Sequence, residues 1–418
     1  MRATTCTKGT TVDNRPRHSQ RVASFGQSIF TEMSALAVTH GAINLSQGFP
    51  DFAGPAHVKQ AAIAAISADH NQYAPSPGLP ILREAAAATY QATYGLPVSP
   101  AEVTITCGAT EALFATLLAL IDPGDEVILF EPAYDSYGPN TIMAGGVPRY
   151  VRLEPPAAQG SADSSTLPTD WTFDPDALRA AFNPRTRAIV VNTPHNPTGK
   201  VFTRPELELI AALCLEHDVI AVADEVYDRM VFTGQHIPIA TLPNMWERTV
   251  TINSTGKTFS MTGWKIGYTL APPALTDAIR RAHQWATFAI ATPFQHAMAA
   301  ALTDALESTY YAELHRFYAE RRALLVDILQ AHGFGVVPPA GTYFIMADIR
   351  PWQPASDVEF CRYLTTEIGV AAIPPSAFYE QPATAPLMAR FCFAKELATL
   401  QTAAQRLALL APHPAGSS

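Results

Sequence analysis

Thr249-Val250-Thr251-Ile252-Asn253-Ser254-Thr255-Gly256-Lys257 (TVTINSTGK) is the stretch whose reading decides the fold. A short β-branched run ends in polar residues, and a lysine follows at once among small and hydroxyl side chains. Runs of the same kind recur at Val103-Thr104-Ile105-Thr106, Glu126-Val127-Ile128-Leu129-Phe130, Ala188-Ile189-Val190-Val191-Asn192, Val219-Ile220-Ala221-Val222-Ala223 and Ile266-Gly267-Tyr268-Thr269-Leu270. Helical patterns lie between them. Near-continuous apolar strands alternating with helices predict an α/β fold with a mostly parallel sheet covered on both faces. In such sheets ligands bind beyond the carboxyl ends of the strands. The chemically capable residues all follow strand ends.

Lys257 has Ser254 three residues before it and Lys265 eight after. Poor solvation and a neighbouring cation lower a lysine pKa and free the amine for imine chemistry. The hydroxyl and the second ammonium suit a phosphate. A lysine nucleophile beside a phosphate site is the pair of groups that pyridoxal phosphate needs. Gly108-Ala109-Thr110 stands where a strand turns into a helix, whose free amides and dipole make an anion site; an ordinary strand–helix turn has the same sequence pattern. Asn192-Thr193-Pro194-His195-Asn196-Pro197-Thr198-Gly199-Lys200 is dense in turn formers and carries Asn196 just past a strand. Asp224, in Ala223-Asp224-Glu225-Val226-Tyr227, ends a strand with a phenol three residues on; it suits a helix cap or a partner for a pyridine nitrogen. Arg390 is a lone cation in the apolar run Ala389-Arg390-Phe391-Cys392-Phe393, fit for a structural salt bridge or a bidentate grip on a carboxylate.

A chain of 418 residues exceeds one hydrophobic core and is expected to divide into two domains. Hydrophobic content of 48% with 16% charge is that of a soluble enzyme with apolar surface to spare for a subunit interface. A net charge of −9 argues against nucleic acid or an anionic membrane as partner. No apolar run reaches the length of a membrane span. Five scattered cysteines point to a reducing, cytoplasmic compartment, and twelve histidines without ligand spacing predict no metal site. Basic residues near the start (Arg2, Lys8, Arg15, Arg17, Arg21) precede no apolar core. A floppy extension is expected there, although a transit peptide shares the composition. Residues 154–170 read as a surface loop and 412–418 as a disordered tail. From about residue 305 a long charged helix leads to Gly341–Ile345 and Val370–Pro374, which suggest a second, smaller sheet.

In order, then, come a phosphate turn, an N-P-T-G loop, Asp-x-x-Tyr, Ser-x-x-Lys with a lysine eight residues later, and a late arginine. This arrangement resembles the fold-type I pyridoxal-phosphate aminotransferases over about residues 25 to 410. Within them it is most similar to the branch of methionine aminotransferases and kynurenine–oxoglutarate/glutamine transaminases. The stretches that carry this are Asn44–Phe52 (NLSQGFPDF), Asn71-Gln72-Tyr73, Glu131–Tyr137 (EPAYDSY) and Arg390–Lys395 (RFCFAK).

The resemblance implies a large domain, 58–304, with a mostly parallel seven-stranded sheet sandwiched by helices. It implies a smaller α+β domain built from both chain ends, an arm at 25–57 and residues 305–411, after a disordered leader, 1–24. The cofactor implied is pyridoxal 5'-phosphate. Carried over residue by residue, Lys257 joins the cofactor as an imine and later moves the proton between the substrate α-carbon and the cofactor. Asp224 pairs with the ring nitrogen, Asn196 and Tyr227 bond the ring oxygen, and Tyr134 stacks on the ring. Gly108, Ala109, Thr110, Ser254 and Lys265 hold the phosphate, joined by Tyr73 of the neighbouring subunit, so a homodimer with a shared site is expected. Arg390, with Asn196 and the backbone of Gly48, takes the substrate carboxylate. Phe288 matches a substrate-pocket aromatic, whereas Ala289 stands where some of these proteins have a histidine. No counterpart of the second arginine of dicarboxylate-specific members is evident. The expected reaction moves the amino group of a neutral, bulky L-amino acid (methionine, aromatic, kynurenine or glutamine type) to a 2-oxo acid by a ping-pong route. A cysteine-S-conjugate β-lyase would use the same residues. A cofactor-sensing regulator would need a DNA-binding module larger than the leader.

Overall fold

The apolar runs become six strands of an eight-stranded sheet in a computed structural model that describes residues 18–156 and 170–410. The expected tail, Cys6, most of the leader and most of the 154–170 loop lie outside those residues; within the leader, Gln20–Val22 forms a 3-10 turn. In chain order the strands are β1 (Val103–Cys107), β2 (Glu126–Glu131), β3 (Val147–Glu154), β4 (Thr172–Phe173), β5 (Thr186–Asn192), β6 (Ile220–Asp224), β7 (Thr249–Ser254) and β8 (Ile266–Leu270). Across the sheet they run β1-β8-β7-β6-β5-β2-β3-β4. The pairs from β7 to β3 are parallel. β8 runs antiparallel to both its neighbours, and β4 antiparallel to β3. Seven strands were expected; the eighth is β4, two residues long, which pairs Leu153 with Phe173 at the sheet edge.

Side-chain alternation explains why both faces are dry. Val127 and Leu129 of β2, Val190 of β5 and Val222 of β6 pack against helices α1 (Gly108–Leu120) and α3 (Pro273–Ala286). Their neighbours Ile128, Phe130, Ile189, Val191 and Ala221 pack on the other face against α2 (Arg204–His217). α2 begins with a capping box, Thr203 and Glu206 exchanging side-chain and backbone hydrogen bonds.

The later part of the chain adds α4 (Tyr310–Ala331) and an antiparallel sheet in which β9 (Phe344–Asp348) lies between Gly335–Val336 and β10 (Met388–Cys392). The expected smaller sheet therefore forms, with one difference. Val370–Ala371 does not pair with β9 but runs parallel to Ile43–Asn44, joining the two ends of the chain. Two residues on, Ile373 makes a single antiparallel bridge to Arg390 of β10, and Pro374 and Pro375 then lack the N–H groups a longer ladder needs. Among the described residues no helix is long and apolar enough to cross a membrane.

Register sets up the site. Asn192 pairs with Asp224 at the carboxyl ends of β5 and β6, and Ser254 ends β7 beside them. At the other side Cys107, the last residue of β1, pairs with Ile266, which brings the Gly108 turn against Lys265. Gly267 makes this approach feasible: a Cβ there would sit 2.4 Å from the Gly108 carbonyl carbon. Gly267→Ala is expected to lower stability by about 1–3 kcal/mol through overpacking. Gly26→Ala, at a site with nothing within 4 Å, serves as the control. Denaturant midpoints that coincide for the two variants would refute this packing role.

Candidate active site

The strand ends and the turn before α1 enclose a cavity of about 300 Å³. β5 supplies Asn192, β6 Asp224 and β7 Ser254, with Gly108, Ala109 and Thr110 opposite. Lys257 stands on a single helical turn, Thr255–Thr258, that follows β7. Its Nζ donates to the Gly48 carbonyl at 3.0 Å, and the Tyr343 hydroxyl donates to the same oxygen. Burial pushes the Lys257 pKa down to about 8, with Arg390 and Lys265 acting in the same direction and Cys392 and Asp224 opposing them. Near neutral pH a useful share of this amine is therefore uncharged.

Asp224 is buried, and burial raises its pKa to about 6 although two donors favour the anion. These are the Tyr137 hydroxyl at 2.7 Å and the Val226 amide at 3.3 Å. A carboxylate so poorly hydrated has much to gain from a cationic partner. The strand register fixes its backbone too, since the Asn192 side chain donates to the Asp224 carbonyl at 2.9 Å.

At the opposite wall Gly108 has φ +70° and Lys265 φ +54°, and a Cβ on Gly108 would lie 3.1 Å from the Lys265 amine. Lys265 Nζ in turn donates to Thr110 Oγ1 at 3.4 Å. The helix amides, the hydroxyl and the ammonium thus converge on one anion-sized place.

Arg390 comes from β10 in the other sheet and is 1% exposed. One guanidinium nitrogen donates to Asn196 Oδ1 at 2.8 Å and the other to the Ser46 carbonyl at 3.1 Å. Its Nε is buried and has no partner among the described residues. Phe344, Phe30 and Phe378 lie 4.0, 5.1 and 5.2 Å from its centre. The bond to Arg390 commits Asn196 Oδ1 as acceptor and leaves that side chain's NH₂ to donate. The Asn196 backbone amide is itself anchored on Asn192 Oδ1 at 2.7 Å.

Of the residues singled out in the sequence, Gly48, Gly108, Ala109, Thr110, Tyr134, Asn196, Asp224, Tyr227, Ser254, Lys257, Lys265 and Arg390 line this cavity. Tyr73 and Phe288 do not. They form an exposed edge-to-face pair with ring centroids 5.4 Å apart, and are 83% and 53% exposed. Sequence reasoning missed Tyr137, Asn192 and Tyr343. Asn192 carried a signal, a polar residue closing an apolar strand; the two tyrosines carried none that separates them from core aromatics.

The chain matches the family described as aminotransferase class I and II over residues 40–407. It is 41% identical to a methionine aminotransferase of Escherichia coli, across 93% of this chain and 97% of that one. It is 40% identical to a kynurenine–oxoglutarate transaminase of Dictyostelium discoideum, across 93% and 95%. The structure of N-succinyldiaminopimelate aminotransferase from Mycobacterium tuberculosis superposes with a TM-score of 0.88 at 42% identity, covering 94% of this chain and all of that one. With the order of motifs and the geometry at the strand ends, these likenesses place the chain in the aminotransferase class I and II family, and it is an aminotransferase.

Proposed function

We propose that the chain uses pyridoxal 5'-phosphate to move the amino group of a neutral, bulky L-amino acid to a 2-oxo acid by a ping-pong route. The observation that carries this reading is a pair. Among the described residues a buried guanidinium holds only neutral acceptors, and it opens on the same cavity as a lysine whose pKa is depressed to about 8. The donor set fits the cofactor: an anion place at Ala109, Thr110, Ser254 and Lys265, and a desolvated carboxylate at Asp224 on the other side. When bound, pyridoxal phosphate supplies an aldehyde for the amine and a protonated ring that draws electron density from the substrate α-carbon.

The chain's own residues do the rest. Asp224, oriented by Tyr137, holds the proton on the ring nitrogen. Asn196, through its NH₂, and Tyr227 donate to the ring oxygen, and Tyr134 covers the ring face. Arg390 grips the α-carboxylate by its free edge, which fixes the α-hydrogen near Lys257. Lys257 then takes that proton as a free amine and returns it on the cofactor side. Phe30 and Phe344 give the cavity an apolar wall near Arg390, and Phe49 adds a further ring to the lining, which suits methionine, aromatic, kynurenine or glutamine-type side chains. The names of the methionine and kynurenine relatives support that class.

The exposed pair Tyr73 and Phe288, with Trp285 86% exposed nearby in sequence, supports a homodimer in which Tyr73 reaches the partner's phosphate site. The sheet of β9 and β10 with residues 25–57 and 305–411 would be the small domain. A reducing cytoplasmic setting fits the free thiols of Cys107, Cys214, Cys361 and Cys392.

Mixed with L-methionine and no oxo acid, the loaded protein is expected to yield pyridoxamine phosphate and the matching 2-oxo acid in one turnover. Lys257→Ala is expected to slow this by at least about a thousandfold. Pyruvate and ammonia from a cysteine S-conjugate, with no half-reaction on methionine, would replace the reading by β-elimination. Arg390→Gln is expected to lower kcat/KM for the amino acid by about ten- to a hundredfold, the worth of a hydrogen bond to a charged group, while cofactor affinity stays unchanged. Equal losses of both would show Arg390 to be structural. In the protein stripped of cofactor, the reactive form of Lys257 is the free base. Its acylation by light and heavy acetic anhydride, read by mass spectrometry, should therefore rise with pH through about 8 and level off. Ordinary surface lysines, with pKa values of about 10.4, should still be rising there. A Lys257 profile identical to theirs would remove the argument for a free amine.

A further inference from the structure

Behind the phosphate turn lies a buried charge pair that the proposed chemistry does not use. His283, in the last turn of α3, is 0% exposed. Its Nδ1 is 2.6 Å from Glu111 Oε1, and its Nε2 is 2.8 Å from the Ser76 carbonyl oxygen. A carbonyl only accepts, so Nε2 carries a proton. Glu111 lies in the first turn of α1, and its second oxygen accepts the Cys107 amide. Glu111 thus stands at the positive end of the helix dipole. An ionised carboxylate also only accepts, so Nδ1 carries a proton too, and His283 is an imidazolium. Burial by itself pushes the His283 pKa down, yet the hydrogen bond and charge of Glu111, joined by the Ser76 carbonyl, outweigh it and hold the pKa above its ordinary value against the nearby Arg280.

The placement has an electrostatic consequence. Glu111 draws on the same helix N-terminus that Ala109 and Thr110 would offer to a phosphate. A helix end that already serves one anion receives a second poorly, because the two repel and share one partial positive charge. With His283 paired to it, Glu111 no longer presents net charge, and the helix end and Lys265 are left for the incoming dianion. The third contact of the network, to Ser76, reaches the loop that bears Tyr73 three residues earlier.

We infer that His283 is a charge-balancing positioning residue: paired with Glu111, it keeps the Gly108–Thr110 turn receptive to a phosphate dianion and ties to that turn the loop carrying Tyr73. This rests on the proposed pyridoxal phosphate site, and it concerns affinity for the phosphate rather than the chemical step.

The test compares the dissociation constants of pyridoxal 5'-phosphate and of phosphate-free pyridoxal for the stripped full-length protein. It uses the native chain, His283→Gln, Glu111→Gln and the double variant. His283→Gln leaves Glu111 uncompensated and is expected to weaken pyridoxal phosphate about tenfold, or about 1.4 kcal/mol, with little change for pyridoxal. The double variant carries neither charge and is expected to recover the native ratio of the two affinities. Glu111→Gln alone should hold pyridoxal phosphate at least as tightly as the native chain does. Equal weakening of both ligands by His283→Gln, or a double variant whose ratio stays depressed, would overturn the charge argument and leave a packing role. Should His283→Gln not fold, the ratio measured on the double variant decides alone. A native chain that binds no pyridoxal phosphate through Lys257, by borohydride reduction and peptide mapping, would sink the proposed function instead.

Discussion

The hydrogen bond from Arg390 to Asn196 is the contact on which the site depends. It joins β10 of the smaller sheet to the loop beyond β5 of the larger one, across 194 residues of sequence. A buried guanidinium is costly unless its donors are used, and here they meet a side-chain amide and a backbone carbonyl. That arrangement satisfies part of the fork and leaves Nε without a partner among the described residues. The same bond decides which way Asn196 faces. Both sheets must be correctly built before either residue has its chemistry.

Charge inside the cavity follows a simple imbalance. Lys257, Lys265 and Arg390 bring three basic side chains to a lining whose carboxylate is Asp224, at the far side of the strand ends. Burial is what chiefly lowers the pKa of Lys257, the most easily deprotonated of the three, and the neighbouring cations Arg390 and Lys265 act in the same direction. An incoming phosphate near Lys265 and a carboxylate at Arg390 would offset the two cations that remain. Glu111 would spoil this balance at the anion end were it not paired with His283. The cavity thus offers two cations to anionic groups, beside an amine that loses its proton more readily than an ordinary lysine does.

The strands were legible because a sheet buried on both faces writes itself as uninterrupted apolar runs, as at Ala188–Asn192. β3 was not, since its first half is only partly buried and contains Pro148 and Arg149, and Arg152 follows in its second half. β4 is too short to leave a pattern. Lys257, Asp224 and Arg390 stood out because each is an ionisable group set against an apolar or small-residue background. Tyr137 and Tyr343 act through hydroxyls that point at a carboxylate and a carbonyl far away in sequence, which no local spacing records. Glu111 and His283 are 172 residues apart, and no local spacing links them. Pairings of this kind are made by the crossing of α1 and α3, not by either segment alone.

The separation of tasks within the cavity bears on what the protein can accept. Under the proposed reading, Arg390, Asn196 and Gly48 would deal with atoms that every α-amino acid has, and they are held by hydrogen bonds of defined geometry. The side chain of a substrate would instead meet rings such as Phe30, Phe49 and Phe344, whose contacts have no direction. Such a wall distinguishes one methylene by only about 1–3 kcal/mol, whereas unpairing a buried polar group costs more and excludes sharply. On that reading the strict part of recognition would lie at the α-carboxylate and the permissive part at the side chain. Relatives at 40–42% identity that bear the names of different amino-acid substrates are what this division leads one to expect. Specificity can drift by exchanging rings along one wall while the polar frame, on which the transfer itself depends, stays in place.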